Sequence, residues 1–306
     1  MRSVLFRIPL PFTGYGIPIY AYGLMVMIGF ITAIYAARWR ARQVGIASEA
    51  ILDMGLIAVC AGILGARLFH VIENAADYFR GDESPVLKIL AINRGGLVWY
   101  GGFLAAAAAI FIFLRRKKLP FLRTLDIIAP SVVLGLGFGR IGCFLNGCCY
   151  GKPTSLPWGV VFPAGALPYH GDPAKPWTYF AEGTRLHPTQ LYMSLSAFAL
   201  FGILSYIFAH RRREGEVTFW LLFLYPIARF LNEMLRGDTR PDPRLGGLSI
   251  SQKVSILVFC GAILYGIWVW LCAPRTAAPA KTTSETTRQN LSRGPDRTRR
   301  HHQDES

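Results

Sequence analysis

Apolar segments long enough to cross a membrane recur along the whole chain, and they limit its fold more than any other feature. The hydrocarbon core of a bilayer is about 30 Å thick, and an α-helix needs about 20 mostly apolar residues to cross it. Hydrophobic residues make up 52% of the chain and charged residues only 17%, and the mean hydropathy is +0.34. We therefore predict an all-α polytopic membrane protein with seven transmembrane helices. The segments are residues 18–37, 50–72, 97–114, 125–145, 188–209, 217–235 and 249–272.

Basic residues at the segment ends predict how the helices are oriented, because Lys and Arg concentrate on the cytoplasmic side. Basic clusters follow the first, third, fifth and seventh segments, whereas the intervening loops mix both signs of charge. The N-terminus is therefore predicted to lie outside and the C-terminus inside. The clusters are Arg38, Arg40 and Arg42; Arg115, Arg116, Lys117, Lys118 and Arg123; Arg211, Arg212 and Arg213; and the basic tail.

The same pattern divides the chain into a membrane domain, residues 1–274, and a polar tail, residues 275–306. Within the membrane domain, the loop 152–186 is rich in proline and aromatic residues, and connections of this length are uncommon unless they have a function. We expect it to form a small extracytoplasmic cap. The tail is rich in Thr, Pro and Arg, which predicts a disordered, basic, cytoplasmic segment.

Ionisable residues within the predicted spans are candidates for function, because a charge at the bilayer centre costs on the order of 3 kcal/mol by insertion scales. Arg140 lies late in the fourth segment. Arg229 and Glu233 lie four residues apart in the sixth, on one helical face, and Arg236 follows one turn later. One interpretation is an ion pair that neutralises itself in lipid. The other is an anion site at the outer leaflet, because a guanidinium fork suits a phosphate.

Glycines are dense around two of these stretches. Residues 135–142 read "GLGFGRIG", and residues 94–103 read "RGGLVWYGGF". Glycine lets another backbone or a ligand approach closely. Two interpretations of these glycines therefore remain: a tightly packed helix pair and a ligand pocket.

The stretch "GRIGCFLNGCCYGKP", residues 139–153, places Cys143, Cys148 and Cys149 close to Arg140. Zinc sites usually combine a C-x2–4-C pair with a second pair of Cys or His, and the nearest histidines do not supply such a pair. We therefore predict no metal ligands and no cofactor. A disulfide between Cys143 and one of the other two is a second interpretation, since this stretch is predicted to face an oxidising compartment. The third is that the cysteines are small apolar residues in the wall of a pocket.

Several short stretches together resemble one family, the bacterial prolipoprotein diacylglyceryl transferases. They occur in the family's order from Tyr22 to Gln252, so the similarity covers nearly all of the chain except the tail. The stretches are "YGLMVMIGF", "GARLFHVIEN", "GGLVWYGGF", "DIIAPSVVLGLGFGRIGCFLNG", "RLHPTQLY", "ARFLNEMLRGD" and "LSISQ".

The resemblance implies an enzyme of the bacterial inner membrane whose site faces the periplasm or outer leaflet. It would transfer the diacylglyceryl group of phosphatidylglycerol to the thiol of the lipobox cysteine in the signal peptide of a prolipoprotein, the first step of lipoprotein maturation, without a cofactor or metal. Its partners would be phosphatidylglycerol, other membrane lipid and the prolipoprotein, and no nucleic acid. Two alternatives remain: a related membrane transferase with another lipid or thiol acceptor, and a non-enzymatic receptor or channel with seven spans.

The resemblance also assigns site residues by position. Arg140 matches the family's signature arginine, Tyr22 the tyrosine of the first span, Gly151 the last glycine of the signature, and Arg229 with Glu233 the pair of the sixth span. The catalytic candidates are Arg140, Arg229 and Tyr100. The substrate-binding candidates are Tyr22, Arg140, Cys143, Cys148, Gly151, Arg229, Glu233 and Arg236.

Three positions depart from the family's pattern, which often has His at Tyr100, Asn at Cys143 and Glu at Cys148. A base role assigned to that His does not transfer to this chain. The implied chemistry is that Arg140 and Arg229 hold the lipid phosphate, and that Tyr100 or the leaving phosphate takes the proton of the thiol.

Overall fold

The structure is a computed structural model, and it describes residues 4–9, 16–79, 84–90, 96, 98–170, 180–238 and 247–276. Nearly all of the predicted tail, from residue 277 to residue 306, lies outside these residues. The described residues form a β-hairpin and a set of helices. These elements are β1 (Val4–Pro9), β2 (Gly16–Tyr20), α1 (Ala21–Gln43), α2 (Ser48–Glu73), α3 (Ala75–Phe79), α4 (Pro85–Leu90), α5 (Trp99–Arg116), α6 (Phe121–Asn146), α7 (Leu167–His170), α8 (Thr189–His210), α9 (Glu216–Met234) and α10 (Ile250–Cys272).

Five helices are long and apolar enough to cross a membrane, namely α1, α2, α6, α8 and α10. They coincide with the first, second, fourth, fifth and seventh predicted segments, so the prediction of a helical membrane protein is confirmed. Helices α5 and α9 occupy the third and sixth segments. The count of seven spans and the orientation of the termini stay predictions. The antiparallel hairpin, which pairs Val4 with Tyr20 and Pro9 with Gly16, precedes the helices and was not predicted.

Helix α6 is central, because it packs against α1, α8 and α9, while α2 packs against α1 and α5, and α10 against α9. Glycines permit the closest of these approaches. A Cβ atom on Gly29 of α1 would lie 2.9 Å from the carbonyl oxygen of Gly135 on α6. A Cβ atom on Gly101 of α5 would lie 2.7 Å from the carbonyl oxygen of Gly65 on α2. The two glycine-rich stretches therefore serve close helix packing, which was one of their two interpretations.

One arginine of the predicted cytoplasmic clusters is buried within the bundle. Arg40 is only 1% exposed. Its guanidinium donates to the hydroxyls of Ser131 on α6, at 3.2 Å, and of Ser205 on α8, at 2.6 Å. It also lies 5.1 Å from the ring centre of Phe201, within the range of a cation–π contact. Arg40 thus joins α1, α6 and α8, whereas Arg42 remains exposed at the surface.

The buried carboxylate of Asp126 connects α6 to the start of α9. Its Oδ2 accepts from the backbone N–H of Gly215 at 2.7 Å. Its Oδ1 accepts from the backbone N–H and the hydroxyl of Thr218, each at 2.9 Å. The first N–H groups of a helix lack partners within the helix, and a negative charge is favoured at this end. Asp126 therefore acts as a cap for α9, the helix that carries Arg229 and Glu233.

We expect Asp126→Ala to lower the free energy of unfolding by about 1–3 kcal/mol, because buried donors at the start of α9 lose their acceptor. Unfolding in mixed detergent micelles, followed by circular dichroism, measures the change. Asp53→Ala is the matched control, because Asp53 is exposed on α2, and its effect should stay within about 0.5 kcal/mol. Equal effects of the two substitutions would show that Asp126 does not hold α9.

Candidate active site

A pocket of about 260 Å³ brings together residues of α5, α6, α9 and α10. All three catalytic candidates line it, each from a different helix. The sequence predicted their shared function but could not show that they meet. The lining residues are Tyr100, Arg140, Tyr225, Pro226, Arg229, Ser251, Val254, Ser255 and Val258.

Arg140 enters this pocket without a carboxylate. It is half-buried, and within the described part of the chain no hydrogen bond or ion pair reaches its side chain. A guanidinium carries five N–H donors and a permanent charge, and burial of an uncompensated charge is costly. The pocket therefore presents a cation suited to an anionic ligand.

Glu233, which is 4% exposed, holds the other two arginines. Its Oε2 lies 2.6 Å from Nη1 of Arg229 and 3.2 Å from Nη1 of Arg236. Its Oε1 accepts from the hydroxyl of Ser249 at 3.1 Å, and Nη2 of Arg229 donates to the hydroxyl of Ser251 at 2.9 Å. The predicted ion pair within α9 is therefore present.

Arg236 lies behind this pair and is bound by a second carboxylate. Its Nε and Nη2 donate to the two oxygens of Asp238, each at 2.8 Å. Burial alone would lower the pKa of Arg236, but the hydrogen bonds and charge of Asp238 raise it above its ordinary value. Arg236 therefore acts as a positioning residue, because it binds the carboxylate of Glu233. The predicted contact of Arg236 with substrate stays a prediction.

Gly151 lies where three parts of the chain meet. Its N–H donates to the carbonyl of His187 at 3.0 Å, and it forms an antiparallel bridge with Arg236. The next N–H, of Lys152, donates to the carbonyl of Leu235 at 2.8 Å. A Cβ atom on Gly151 would lie 2.5 Å from the carbonyl oxygen of His187, which is too close for any other residue. Gly151 thus fixes the turn after α6 against the end of α9.

Tyr22 and Tyr100 lie in different surroundings. Tyr100 is 47% exposed and lines the pocket with Arg140. Tyr22, which is 45% exposed, packs beside Gly142, where an added Cβ atom would lie 3.2 Å from the tyrosine ring. Tyr22 is close enough to Arg140 for electrostatic interaction, but it is not among the residues that line the Arg140 pocket in the described chain.

The three neighbouring cysteines are free thiols. Their Sγ atoms lie within 4.8 Å of one another, although the residues belong to the end of α6 and the turn that follows. The structure therefore brings Cys143 and Cys148 together, as the disulfide interpretation required, but without a bond between them. Cys149, which was not a site candidate, joins them.

Two residues that hold this turn were missed as functional candidates. Thr189 donates its hydroxyl to the carbonyl of Cys149, and Gln190 donates its amide to the carbonyl of Cys148, each at 2.8 Å. Both side chains are buried, at 0% and 1% exposure. One feature of the sequence could have identified them: both are polar residues at the start of an apolar segment, and a polar side chain that is buried needs a hydrogen-bond partner.

Comparison with known proteins identifies a family. The profile of the family described as prolipoprotein diacylglyceryl transferase matches residues 9–269. The phosphatidylglycerol--prolipoprotein diacylglyceryl transferase of Clostridium tetani is 34% identical over 270 residues, covering 88% of this chain and 97% of the relative. The proteins of the same name from Finegoldia magna and Nitrosomonas europaea are 35% and 36% identical over 255 and 257 residues. Those two alignments cover 83% and 81% of this chain, and 92% and 85% of the relatives. The chain therefore belongs to the prolipoprotein diacylglyceryl transferase family.

Proposed function

We propose that this membrane protein transfers the diacylglyceryl group of phosphatidylglycerol to the lipobox cysteine thiol of a prolipoprotein. The names of the relatives from Clostridium tetani and Finegoldia magna state the lipid and the protein substrate. The observation that carries the proposal is Arg140, a half-buried guanidinium without a carboxylate partner in the described chain, in one pocket with Arg229. A phosphodiester supplies the missing negative charge.

The surface around the pocket suits a lipid as well as a phosphate. A second cavity of about 270 Å³ lies between α9 and α10, and Pro226 and Ser255 line both cavities. Its other lining residues include Phe230 and Phe259. A headgroup bound at Arg140 would thus lie next to an apolar groove, where an acyl chain can replace the neighbouring lipid chains through van der Waals packing.

The proposed reaction is a nucleophilic substitution at carbon. The sulfur of the lipobox cysteine forms a bond to the glyceryl carbon that carries the phosphate, and the C–O bond to the phosphate breaks. Glycerol phosphate leaves with the electron pair. The proton of the thiol passes to an oxygen of the leaving phosphate, either directly or through the hydroxyl of Tyr100, which gives its own proton to the phosphate as it accepts that of the thiol. Arg140 and Arg229 stabilise the charge that grows on the phosphate oxygens, a contribution that is often the largest in such catalysis.

We further propose seven spans, with α5 and α9 included, in the inner membrane, with the N-terminus outside and the pocket facing the periplasm. The long loop would be the periplasmic cap of the domain 1–274, and residues 275–306 the cytoplasmic tail. A small core supports the cap: Phe162, Tyr169 and Leu186 of the loop are buried together with Tyr150, which precedes it. The hydroxyl of Tyr169 accepts from the N–H of Phe162 at 3.0 Å and donates to the carbonyl of Thr184 at 2.9 Å.

One observation favours a second candidate, a related transferase with another thiol acceptor. Of the three departures from the family's pattern, Tyr100 lines the Arg140 pocket, and Cys143 and Cys148 lie at or just after the end of the helix that carries Arg140. The arginines are retained while these neighbours change, which is the pattern expected if the lipid is the same and the acceptor differs. Mass spectrometry of a lipobox peptide, incubated with phosphatidylglycerol and the purified protein, separates the two candidates.

Reporter insertions test the proposed orientation. A reporter placed after Lys117 or Arg212 should give a cytoplasmic signal, because both sites lie in basic clusters. A reporter placed after Gly183, in the cap, should give a periplasmic signal. Gly183 suits insertion because nothing lies within 4 Å of an added Cβ atom. A cytoplasmic signal at Gly183 would place the pocket on the wrong side for this function.

Substitution of Arg140 tests the transferase itself. We expect Arg140→Lys to lower the rate of diacylglyceryl transfer by about 10²–10³-fold, because an ammonium keeps the charge but cannot reproduce the two-pronged contact with phosphate. Transfer to a lipobox peptide in phosphatidylglycerol vesicles, quantified by mass spectrometry, measures the loss. Arg116→Lys is the matched control, since Arg116 is exposed at the end of α5. The proposal fails if both variants retain the wild-type rate.

A further inference from the structure

Three sulfur atoms converge at the end of α6. Cys143 lies in the last turn of this helix, and Cys148 and Cys149 lie in the turn that follows, yet all three Sγ atoms are within 4.8 Å of one another. In a tetrahedral zinc site with Zn–S bonds of about 2.3 Å, the sulfur atoms are about 3.8 Å apart. A shift of no more than about 1 Å for each pair of sulfur atoms would therefore place all three on one ion.

We propose that Cys143, Cys148 and Cys149 bind a thiophilic metal ion such as Zn²⁺ or Cu⁺ through three sulfur ligands. Soft thiolate ligands select these ions over Mg²⁺ or Ca²⁺. The fourth position of a tetrahedral Zn²⁺ ion is then taken by a ligand from outside the cluster. The proposal revises the prediction of no metal ligands, which rested on the spacing of the cysteines.

The backbone of the turn is held in the conformation that the cluster needs. Cys149 has φ = 63°, a left-handed conformation that is strained for a residue other than glycine. Such strain persists only where the surroundings impose it, and it is concentrated at functional sites and ligand clamps. Here the buried Thr189 and Gln190 impose it, because they bind the carbonyls of Cys149 and Cys148. Buried side chains therefore hold the backbone that carries Cys148 and Cys149.

The charges around the cluster suit a bound cation with thiolate ligands. Three thiolates and one divalent ion together carry a single negative charge, and the guanidinium groups of Arg236 and Arg140 are near enough to offset it.

A disulfide explains the convergence less well than a metal ion does. It would join two of the sulfur atoms and leave the third without a role. The site is also distinct from the proposed lipid pocket, because the three cysteines are absent from that pocket's lining among the described residues. Metal binding therefore does not rest on the transferase activity.

The chain offers a matched control for this site, because it contains six cysteines and the other three are exposed and lie elsewhere. The full-length protein in detergent is first reduced and stripped of metal under nitrogen. It is then titrated with Zn²⁺ against a chromophoric chelator, and with Cd²⁺, whose thiolate complexes absorb in the ultraviolet. The cluster variant carries Cys143→Ser, Cys148→Ser and Cys149→Ser, and the remote variant carries Cys60→Ser, Cys260→Ser and Cys272→Ser.

We expect the wild type and the remote variant to bind about one equivalent of Zn²⁺ and to show the Cd²⁺–thiolate absorption. The cluster variant should bind Zn²⁺ at least about 100-fold more weakly and lose the absorption. The single variant Cys143→Ser, expected to bind at least about 10-fold more weakly, serves if the triple variant does not fold.

Equal Zn²⁺ affinity of the cluster variant and the wild type would overturn the proposal, and so would a reduced wild type that binds no stoichiometric ion. Arg140→Lys separates this outcome from failure of the transferase proposal. It should lose diacylglyceryl transfer while retaining the equivalent of Zn²⁺, because its three cysteines are intact.

Discussion

The buried carboxylate of Glu233 is the interaction on which the pocket depends. It receives two guanidinium groups from the end of α9 and the hydroxyl of Ser249, the residue that caps α10. Ser249 and Gln252 exchange hydrogen bonds in a capping box, so the start of α10 is fixed to the same carboxylate. Loss of one partner from a buried ion pair is strongly destabilising, because the remaining charge has no compensation. Glu233 thus sets where α9 ends, where α10 begins and where Arg229 points.

The arginines differ in which protein groups balance their charge. Arg40 is surrounded by hydroxyls and aromatic rings, and Arg236 is bound by two carboxylates. Arg229 shares Glu233 and contacts Ser251. Arg140 has no carboxylate in the described chain, and it alone is exposed to the pocket as an unpaired cation. In a membrane protein such a charge is costly unless a ligand neutralises it, which is why the phosphate is assigned to Arg140.

The sequence predicted the parts of this site that depend on residue type and period. Hydropathy located the helices, the four-residue spacing of Arg229 and Glu233 predicted their pairing, and the resemblance to the family was confirmed. The sequence could not predict contacts between residues that are far apart in the chain. Asp126 meets the start of α9 from 89 and 92 residues away, and Thr189 reaches the turn at Cys149 from 40 residues away. Arg40 was assigned to a cytoplasmic basic cluster, and its burial was not predicted, because no local pattern reveals its partners on α6 and α8.

The end of α6 carries two kinds of chemistry on one short segment. Arg140 and Cys143 are three residues apart, which places them on neighbouring parts of the same helical surface. The turn that follows adds two thiols and then Gly151, whose lack of a side chain lets the backbone pack against His187 and the end of α9. The turn that positions the sulfur atoms is therefore the turn that fixes the end of α9 beside Arg140. A metal ion bound to the three cysteines would stiffen that turn, and with it the separation between Arg140 and the pair formed by Arg229 and Glu233.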